Sequence, residues 1–132
     1  EKFIKIAEQA AKNSTCDIRA VGSVLVKNGE VLAHGWNSAP SGLSTCDEAG
    51  HLWKDGHCIR TIHAEAMCIA NAARNGLSTE DTDLFVTAFP CYSCLKLVAQ
   101  AGVRKVFCYP YTVDPMTIDA AKLLGIGLYR VE

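Results

Sequence analysis

Two short motifs in the sequence combine an imidazole, a carboxylate and two thiols. His63 and Glu65 flank a single alanine, and Cys91 and Cys94 belong to the run Pro90-Cys91-Tyr92-Ser93-Cys94. Imidazole nitrogen and thiolate sulfur are preferred zinc ligands, and a zinc ion with three protein ligands keeps its fourth position for water. The two motifs therefore predict a catalytic zinc site with His63, Cys91 and Cys94 as ligands.

Each motif is expected at the start of a helix. Cysteines at positions i and i+3 lie on the same side of one helical turn, so both sulfur atoms can reach one ion. The unpaired N–H groups at a helix N-terminus also favour thiolate over thiol. Glu65 is displaced around its helix from His63, and beside a water of lowered pKa we expect it to transfer protons.

Each motif alone has a simpler interpretation. A Cys-x-x-Cys pair can be a redox pair or half of a structural zinc knuckle, and a His-x-Glu triplet occurs by chance in many helices. Here the two motifs are separated by a predicted strand and begin consecutive predicted helices. This combination favours the catalytic site.

A single α/β domain is expected to position these motifs. The 132 residues are 49% hydrophobic and 20% charged, which is typical of one folded globular domain. Apolar periodicity and an Asn28-Gly29 hairpin signal predict helices over 1–12, 62–75, 92–101 and 116–124 and strands over 20–26, 31–33, 84–88, 103–109 and 126–131. Residues 37–60 are predicted as one long irregular loop.

Strands that are separated by helices run parallel through right-handed crossovers, whereas a hairpin is antiparallel. The order of elements therefore predicts a three-layer α/β/α sandwich with a five-stranded mixed sheet, spanning 1–132 as one domain.

Charge and hydropathy exclude several classes of function. The 13 Lys and Arg residues against 14 Asp and Glu residues give a net charge of −1, so no global positive field would hold a long nucleic acid or a folded RNA. No apolar run approaches the roughly 20 residues that span a bilayer, and the first residues do not resemble a secretion signal. We expect no membrane partner and a cytoplasmic location, where an odd count of seven cysteines favours metal binding or catalysis over disulfides.

The chain resembles the cytidine and deoxycytidylate deaminase superfamily, and within it the deoxycytidylate (dCMP) deaminase branch. His-x-Glu followed by Pro-Cys-x-x-Cys is the signature of zinc deaminases. The resemblance extends over the runs 14–16, 21–23, 35–38, 40–42, 46–48, 56–65 and 90–94. It implies a cytidine deaminase-like fold, a zinc cofactor, a homo-oligomer and hydrolytic deamination of a small pyrimidine nucleotide, dCMP, to dUMP and ammonia.

The resemblance also implies roles for individual residues. Glu65 becomes the catalytic proton shuttle, Asn37 a contact to the sugar, and Tyr111 an aromatic side chain that closes over the substrate. Arg19 and Arg60 are candidates for binding the 5′-phosphate, because guanidinium matches phosphate geometry. A solvated surface charge is the alternative for each arginine.

A second metal site is a further hypothesis. Some members of the resembling family bind a second, structural zinc, and four ligands would complete its tetrahedron. The hypothesis uses Cys16 and Cys46 with two of His51, His57 and Cys58, and such a site would order the loop over 37–60. The alternative is that these residues are reduced cysteines and solvent-exposed histidines.

Two other functions fit the same residues. One is deamination of another small nucleoside or nucleobase, which would not need a phosphate pocket. The other is a zinc-stabilised binding module that retained the ligands without turnover. Glu65 argues against the second function, because a purely structural zinc site needs no proton shuttle.

Overall fold

A computed structural model of the chain describes residues 2–16, 19–55 and 57–131, with only the backbone of His57. The predicted helices and strands follow one another in the predicted order, and three short elements within 37–60 are additional. The helices are α1 (Lys2–Ala11), α2 (Cys46–Ala49), α3 (Ala64–Arg74), α4 (Tyr92–Gln100) and α5 (Pro115–Leu124). The strands are β1 (Gly22–Lys27), β2 (Glu30–Trp36), β3 (Trp53–Lys54), β4 (His57–Cys58), β5 (Thr82–Val86), β6 (Val103–Cys108) and β7 (Gly127–Arg130).

The central sheet is five-stranded and mixed, as predicted. Its order is β2-β1-β5-β6-β7, in which β1 is antiparallel to both neighbours while β5, β6 and β7 are parallel. The Asn28-Gly29 turn joins β1 to β2, with φ angles of 53° and 78° at its two residues. Both angles suit a tight hairpin turn, which explains the antiparallel pair at this edge.

Helices cover both faces of the sheet and confirm the three-layer sandwich. On one face, Ile4 and Ala7 of α1 pack against Val24, Val26 and Phe85. On the other face, buried side chains of α3, α4 and α5 pack against the opposite side of the same strands. Alternate residues of a strand point to opposite faces, so β1 contributes to both cores.

Residues 37–60 are more ordered than predicted. The hydroxyl of Thr45 accepts a hydrogen bond from the backbone of Glu48, whose side chain accepts one from Thr45 in return. This reciprocal capping begins the one-turn helix α2, and the short pair β3–β4 follows it. Elements of two to four residues are too short to produce a periodic pattern, so the prediction of an irregular loop was wrong here.

The search for membrane-spanning segments gave none: within the described residues, each helix is too short or too polar to cross a bilayer.

Candidate active site

The predicted zinc ligands lie where two helices begin on the same side of the sheet. His63 is the N-cap of α3 and Cys91 is the N-cap of α4, and neither side chain caps its own helix. Pro90 is buried and directly precedes Cys91. The side chains of His63 and Cys91 are therefore available as ligands. Cys94 lies one turn further along α4.

The distances among the three side chains fit a tetrahedral metal site. The Nδ1 atom of His63 lies 3.4 Å from the Sγ atom of Cys94 and 3.7 Å from that of Cys91. Zinc–nitrogen bonds of about 2.0 Å and zinc–sulfur bonds of about 2.3 Å place N and S roughly 3.6 Å apart in a tetrahedron. The donor set and its spacing thus suit a zinc ion that keeps one coordination position for another group.

The two thiols of this cluster titrate very differently. A hydrogen bond from Cys94, with a further contribution from His63, lowers the pKa of Cys91 to about 4. The same hydrogen bond, together with burial, raises the pKa of Cys94. One sulfur therefore carries the negative charge while the other carries the proton, and binding of a metal ion requires the release of that proton.

Glu65 lies buried beside the cluster, with 5% of its surface exposed. Burial is the main reason that its pKa is raised to about 6, although its own backbone N–H and the nearby His63 act in the opposite direction. A carboxyl group with a pKa close to neutrality can both accept and donate a proton during turnover. This environment is the one that a proton shuttle needs.

A cavity of about 260 Å³ opens in front of these residues. His63, Glu65 and Cys91 line it together with residues that were not predicted from the sequence, among them Thr61 and Phe89. Each of these two precedes a ligand by two positions, so proximity to the motifs was the available signal.

Arg19 and Asn37 also line the cavity. The Oδ1 atom of Asn37 accepts from the Val21 N–H at 2.8 Å, and its Nδ2 atom donates to the Arg19 carbonyl at 2.6 Å. The Arg19 guanidinium lies 5.4 Å from the centroid of the Tyr111 ring. Two of the four predicted substrate residues therefore meet at the cavity, and Tyr111 contacts one of them, Arg19, without lining the cavity.

Arg60 has different partners. Its guanidinium donates to the Gly50 carbonyl at 2.9 Å and to the Ser44 carbonyl at 3.4 Å. Arg60 is not among the described residues that line the cavity. The Arg60 side chain therefore links two parts of the backbone within the 37–60 segment.

A second group of ligand side chains lies within that segment. The Sγ atom of Cys58 lies 3.3 Å from Nδ1 of His51 and 3.8 Å from Sγ of Cys46. Backbone N–H donation from Arg60 is the largest of the effects that lower the pKa of Cys58 to about 7. These distances also suit a tetrahedral metal ion, so three of the five predicted ligands of the second site come together.

Of the other two predicted ligands of the second site, Cys16 lies outside this group, and the side chain of His57 is not described. Cys16 and Cys58 both line the cavity, but Cys16 does not belong to the set whose ligand atoms lie within 4.8 Å of one another. The side chain of His57 lies outside the described residues.

Comparison with known proteins agrees with the fold. ComE operon protein 2 of Bacillus subtilis is 32% identical over 131 residues, covering 98% of this chain and 69% of that protein. Deoxycytidylate deaminase of enterobacteria phage T4 is 30% identical over 168 residues, covering 97% of this chain and 87% of that protein. The dCMP deaminase of cyanophage S-TIM5, solved with dCMP and dUMP, is 35% identical with a TM-score of 0.83 over 98% of this chain and 94% of that one.

The family description "Cytidine and deoxycytidylate deaminase zinc-binding region" matches residues 1–110. That range contains both the His63-Ala64-Glu65 motif and the Cys91–Cys94 motif. The resemblance, the mixed sheet and the zinc requirement predicted from the sequence are thereby confirmed. The chain belongs to the cytidine and deoxycytidylate deaminase family of zinc-dependent enzymes.

Proposed function

We propose that this protein is one zinc-dependent deaminase domain that hydrolyses dCMP to dUMP and ammonia. The observation that carries the proposal is the placement of buried Glu65 in a cavity beside the His63, Cys91 and Cys94 cluster. Support for the nucleotide comes from the relatives named dCMP deaminase, which include one solved with dCMP and dUMP.

The chemistry divides between the ligands and Glu65. His63, Cys91 and Cys94 would hold the zinc ion, which supplies an activated water for attack at C4 of cytosine. Glu65 would accept a proton from the attacking water and deliver it to the ring nitrogen; it would then accept the proton of the new C4 hydroxyl and deliver it to the amino group, which leaves as ammonia while the C4 carbonyl forms. Its pKa of about 6 suits both directions of transfer, and burial keeps its proton from exchanging freely with bulk water.

The 5′-phosphate is assigned to Arg19. Arg19 lines the cavity, and its guanidinium lies over the Tyr111 ring. A phosphate group in the cavity would therefore meet a guanidinium that an aromatic ring keeps in place. Arg60 is the second candidate, but its guanidinium bonds to the Gly50 and Ser44 carbonyls. The Nδ2 atom of Asn37 carries two hydrogens, so its bond to Arg19 leaves one for a sugar hydroxyl.

Ultraviolet-monitored deamination of dCMP and deoxycytidine by the zinc-loaded protein tests this assignment. We expect kcat/KM for dCMP to exceed that for deoxycytidine by at least about tenfold, the usual value of one charge-assisted contact. Arg19→Gln should remove most of this preference, whereas the matched variant Arg60→Gln should retain it. Equal turnover of both substrates by the wild type would favour the alternative, a deaminase of small nucleosides.

We also propose a second, structural zinc held by Cys46, His51 and Cys58, with Cys16 or His57 as the fourth ligand. Wild-type protein should contain two zinc ions per chain by metal analysis, and Cys46→Ser should contain one. Cys68→Ser is the control, because Cys68 is also a buried thiol and belongs to neither described ligand group. One zinc ion per chain in the wild type would contradict the second site.

We also propose that the protein forms a homo-oligomer and is located in the cytoplasm. The described cysteines are all free, which suits a reducing compartment. Exposed apolar side chains of Leu52, Trp53 and Ile59 are compatible with contact between subunits. Light scattering during size-exclusion chromatography would measure the mass, and a monomer at micromolar concentration would contradict the oligomer.

A further inference from the structure

One peptide group next to the cluster links Ser23 to Glu65. The hydroxyl of Ser23 donates to the carbonyl oxygen of Ala64 at 2.9 Å. The N–H of the same peptide belongs to Glu65 and faces the Glu65 carboxylate closely enough to oppose the rise of its pKa. A peptide group is planar and rigid, so fixing its oxygen also fixes the direction of its N–H. The Ser23 hydroxyl and the Glu65 carboxylate are thus joined through a single stiff unit.

Ser23 is well placed to hold this peptide. It is fully buried on β1 and pairs directly with Gly35 on β2, so the two residues share one face of the sheet. A Cβ atom added to Gly35 would overlap the Ala64 carbonyl oxygen and lie 2.6 Å from the backbone nitrogen of Cys68. The first turn of α3 therefore packs directly on this pair of residues. The small side chain of Ser23 and the absence of one at Gly35 leave room for the helix.

The rest of α3 has contacts with the sheet besides those to Ser23, which also contacts the Cys68 thiol. The thiol of Cys68 donates to the Ala33 carbonyl at 3.4 Å, and the amide of Asn71 donates to the His34 carbonyl at 2.8 Å. Loss of the Ser23 hydroxyl would leave both of these contacts in place. The Ala64 carbonyl would also keep its ordinary helical partner four residues later.

We propose that Ser23 is a positioning residue for the deamination reaction. Its hydroxyl orients the Ala64–Glu65 peptide and, through that peptide, holds the Glu65 carboxylate against the His63, Cys91 and Cys94 cluster. Ser23 is not among the described residues that line the cavity, so it acts through Glu65. The role rests on the proposed deaminase function.

This arrangement predicts an effect on turnover with little effect on substrate affinity. Misplacement of a proton-transfer group by a fraction of an ångström costs about tenfold or more in rate. The contacts that bind the substrate and the three zinc ligands do not include Ser23. Ser23→Ala should therefore lower kcat by about tenfold while KM and the zinc content per chain stay within twofold.

Thr82→Val is the matched control for Ser23→Ala. Thr82 is also fully buried, and its hydroxyl donates to the Thr79 carbonyl at 2.7 Å. It begins β5, at the opposite end of that strand from the Cys91 motif. Both variants lose one buried hydrogen bond, so we expect similar decreases in the midpoint of thermal unfolding, but only Ser23→Ala should lose turnover.

A second readout does not depend on activity. In 15N-labelled protein, the amide proton of Glu65 should shift in Ser23→Ala, because the peptide that carries it loses its acceptor-side hydrogen bond. The same resonance should not move in Thr82→Val. Equal kcat losses in the two variants at equal unfolding midpoints, or an unmoved Glu65 amide, would overturn the positioning role.

Wild-type kinetics separate this proposal from the proposed function. If the wild type acts on deoxycytidine instead of dCMP, the nucleotide assignment fails, and the variants are compared on deoxycytidine with the same expected ratio. Absence of wild-type turnover on either substrate would overturn both proposals.

Discussion

Glu65 has two properties that an exposed carboxylate lacks. It is buried, which raises its pKa to about 6, and it lies beside His63 in the same cavity. Burial of a carboxylate without a full set of partners lowers stability, because desolvation opposes its charged form. The presence of a buried carboxyl group at Glu65, in spite of this desolvation cost, is best explained by the proton transfers of the reaction.

Glu65→Gln tests this explanation. Glutamine keeps the shape of the side chain but can neither accept nor deliver a proton at that position, so we expect kcat to fall by about a thousandfold. Zinc content should remain as in the wild type, and the unfolding temperature should not decrease. Turnover is measured by the ultraviolet change, and zinc by metal analysis.

The exposed carboxylate Glu30, changed to Gln, serves as the control and should retain wild-type turnover. Loss of zinc or of folding in Glu65→Gln would mean that Glu65 has a structural role instead of the assigned one. Retention of most of the activity would place the proton transfer on another residue.

Two glycines on neighbouring strands allow a helix to approach each face of the sheet. Gly35 on β2 lies under the first turn of α3. Gly22 on β1 lies under α1, where an added Cβ atom would overlap the Ala7 carbonyl oxygen and the Ala11 nitrogen. In both places the obstacle is helix backbone, which cannot move aside as a side chain can. The three layers of the sandwich therefore depend on these two residues having no side chain.

Gly22→Ala should destabilise the protein by about 1–3 kcal/mol, the usual cost of overpacking. The matched control is Gly127→Ala, where the added Cβ atom would meet the Tyr129 ring at 2.7 Å. That ring ends a half-exposed side chain that can turn away, so a smaller loss is expected. Urea unfolding measures both variants, and an equal loss in the two would contradict the backbone contact at Gly22.

Residues that are distant in sequence connect α1 to Arg19, which lines the cavity. The Tyr109 hydroxyl donates to the Glu8 carboxylate at 2.6 Å, although the two residues are 101 positions apart. The Tyr109 ring lies edge-on to the Tyr111 ring at 5.7 Å, and Arg19 lies over Tyr111. A helix on the far side of the sheet thereby supports the arginine that we assign to the phosphate.

Tyr109→Phe should raise KM for dCMP by about threefold and leave kcat unchanged. The ring remains, but its tether to Glu8 is lost, so the Tyr111–Arg19 contact, worth about 0.5–1 kcal/mol, is held less firmly. KM for deoxycytidine should not change, because that substrate has no phosphate.

Tyr129→Phe is the control, since the Tyr129 ring stacks on Phe107 and not on the tyrosines near the cavity. An equal change of KM for both substrates in Tyr109→Phe would indicate a general disturbance of the loop instead of a specific support.

Local patterns were sufficient for most of the fold. Asn28 and Gly29 predicted the hairpin because both residues tolerate positive φ, and the apolar periods predicted α1, α3, α4 and α5. The 37–60 segment was the exception, because its helix α2 depends on the Thr45–Glu48 capping pair and not on a period.

By itself the sequence determined the chemistry of the site, since His63, Glu65, Cys91 and Cys94 are chemically suited to zinc-assisted hydrolysis wherever a fold gathers them. Only the tertiary structure decided which arginine faces the cavity, because Arg19 and Arg60 carry the same charge and differ only in their surroundings. It alone also decided the place of Ser23, whose bond to Ala64 spans 41 positions. Such a contact depends on strand register and on how a helix seats on the sheet, and neither is encoded in any local pattern.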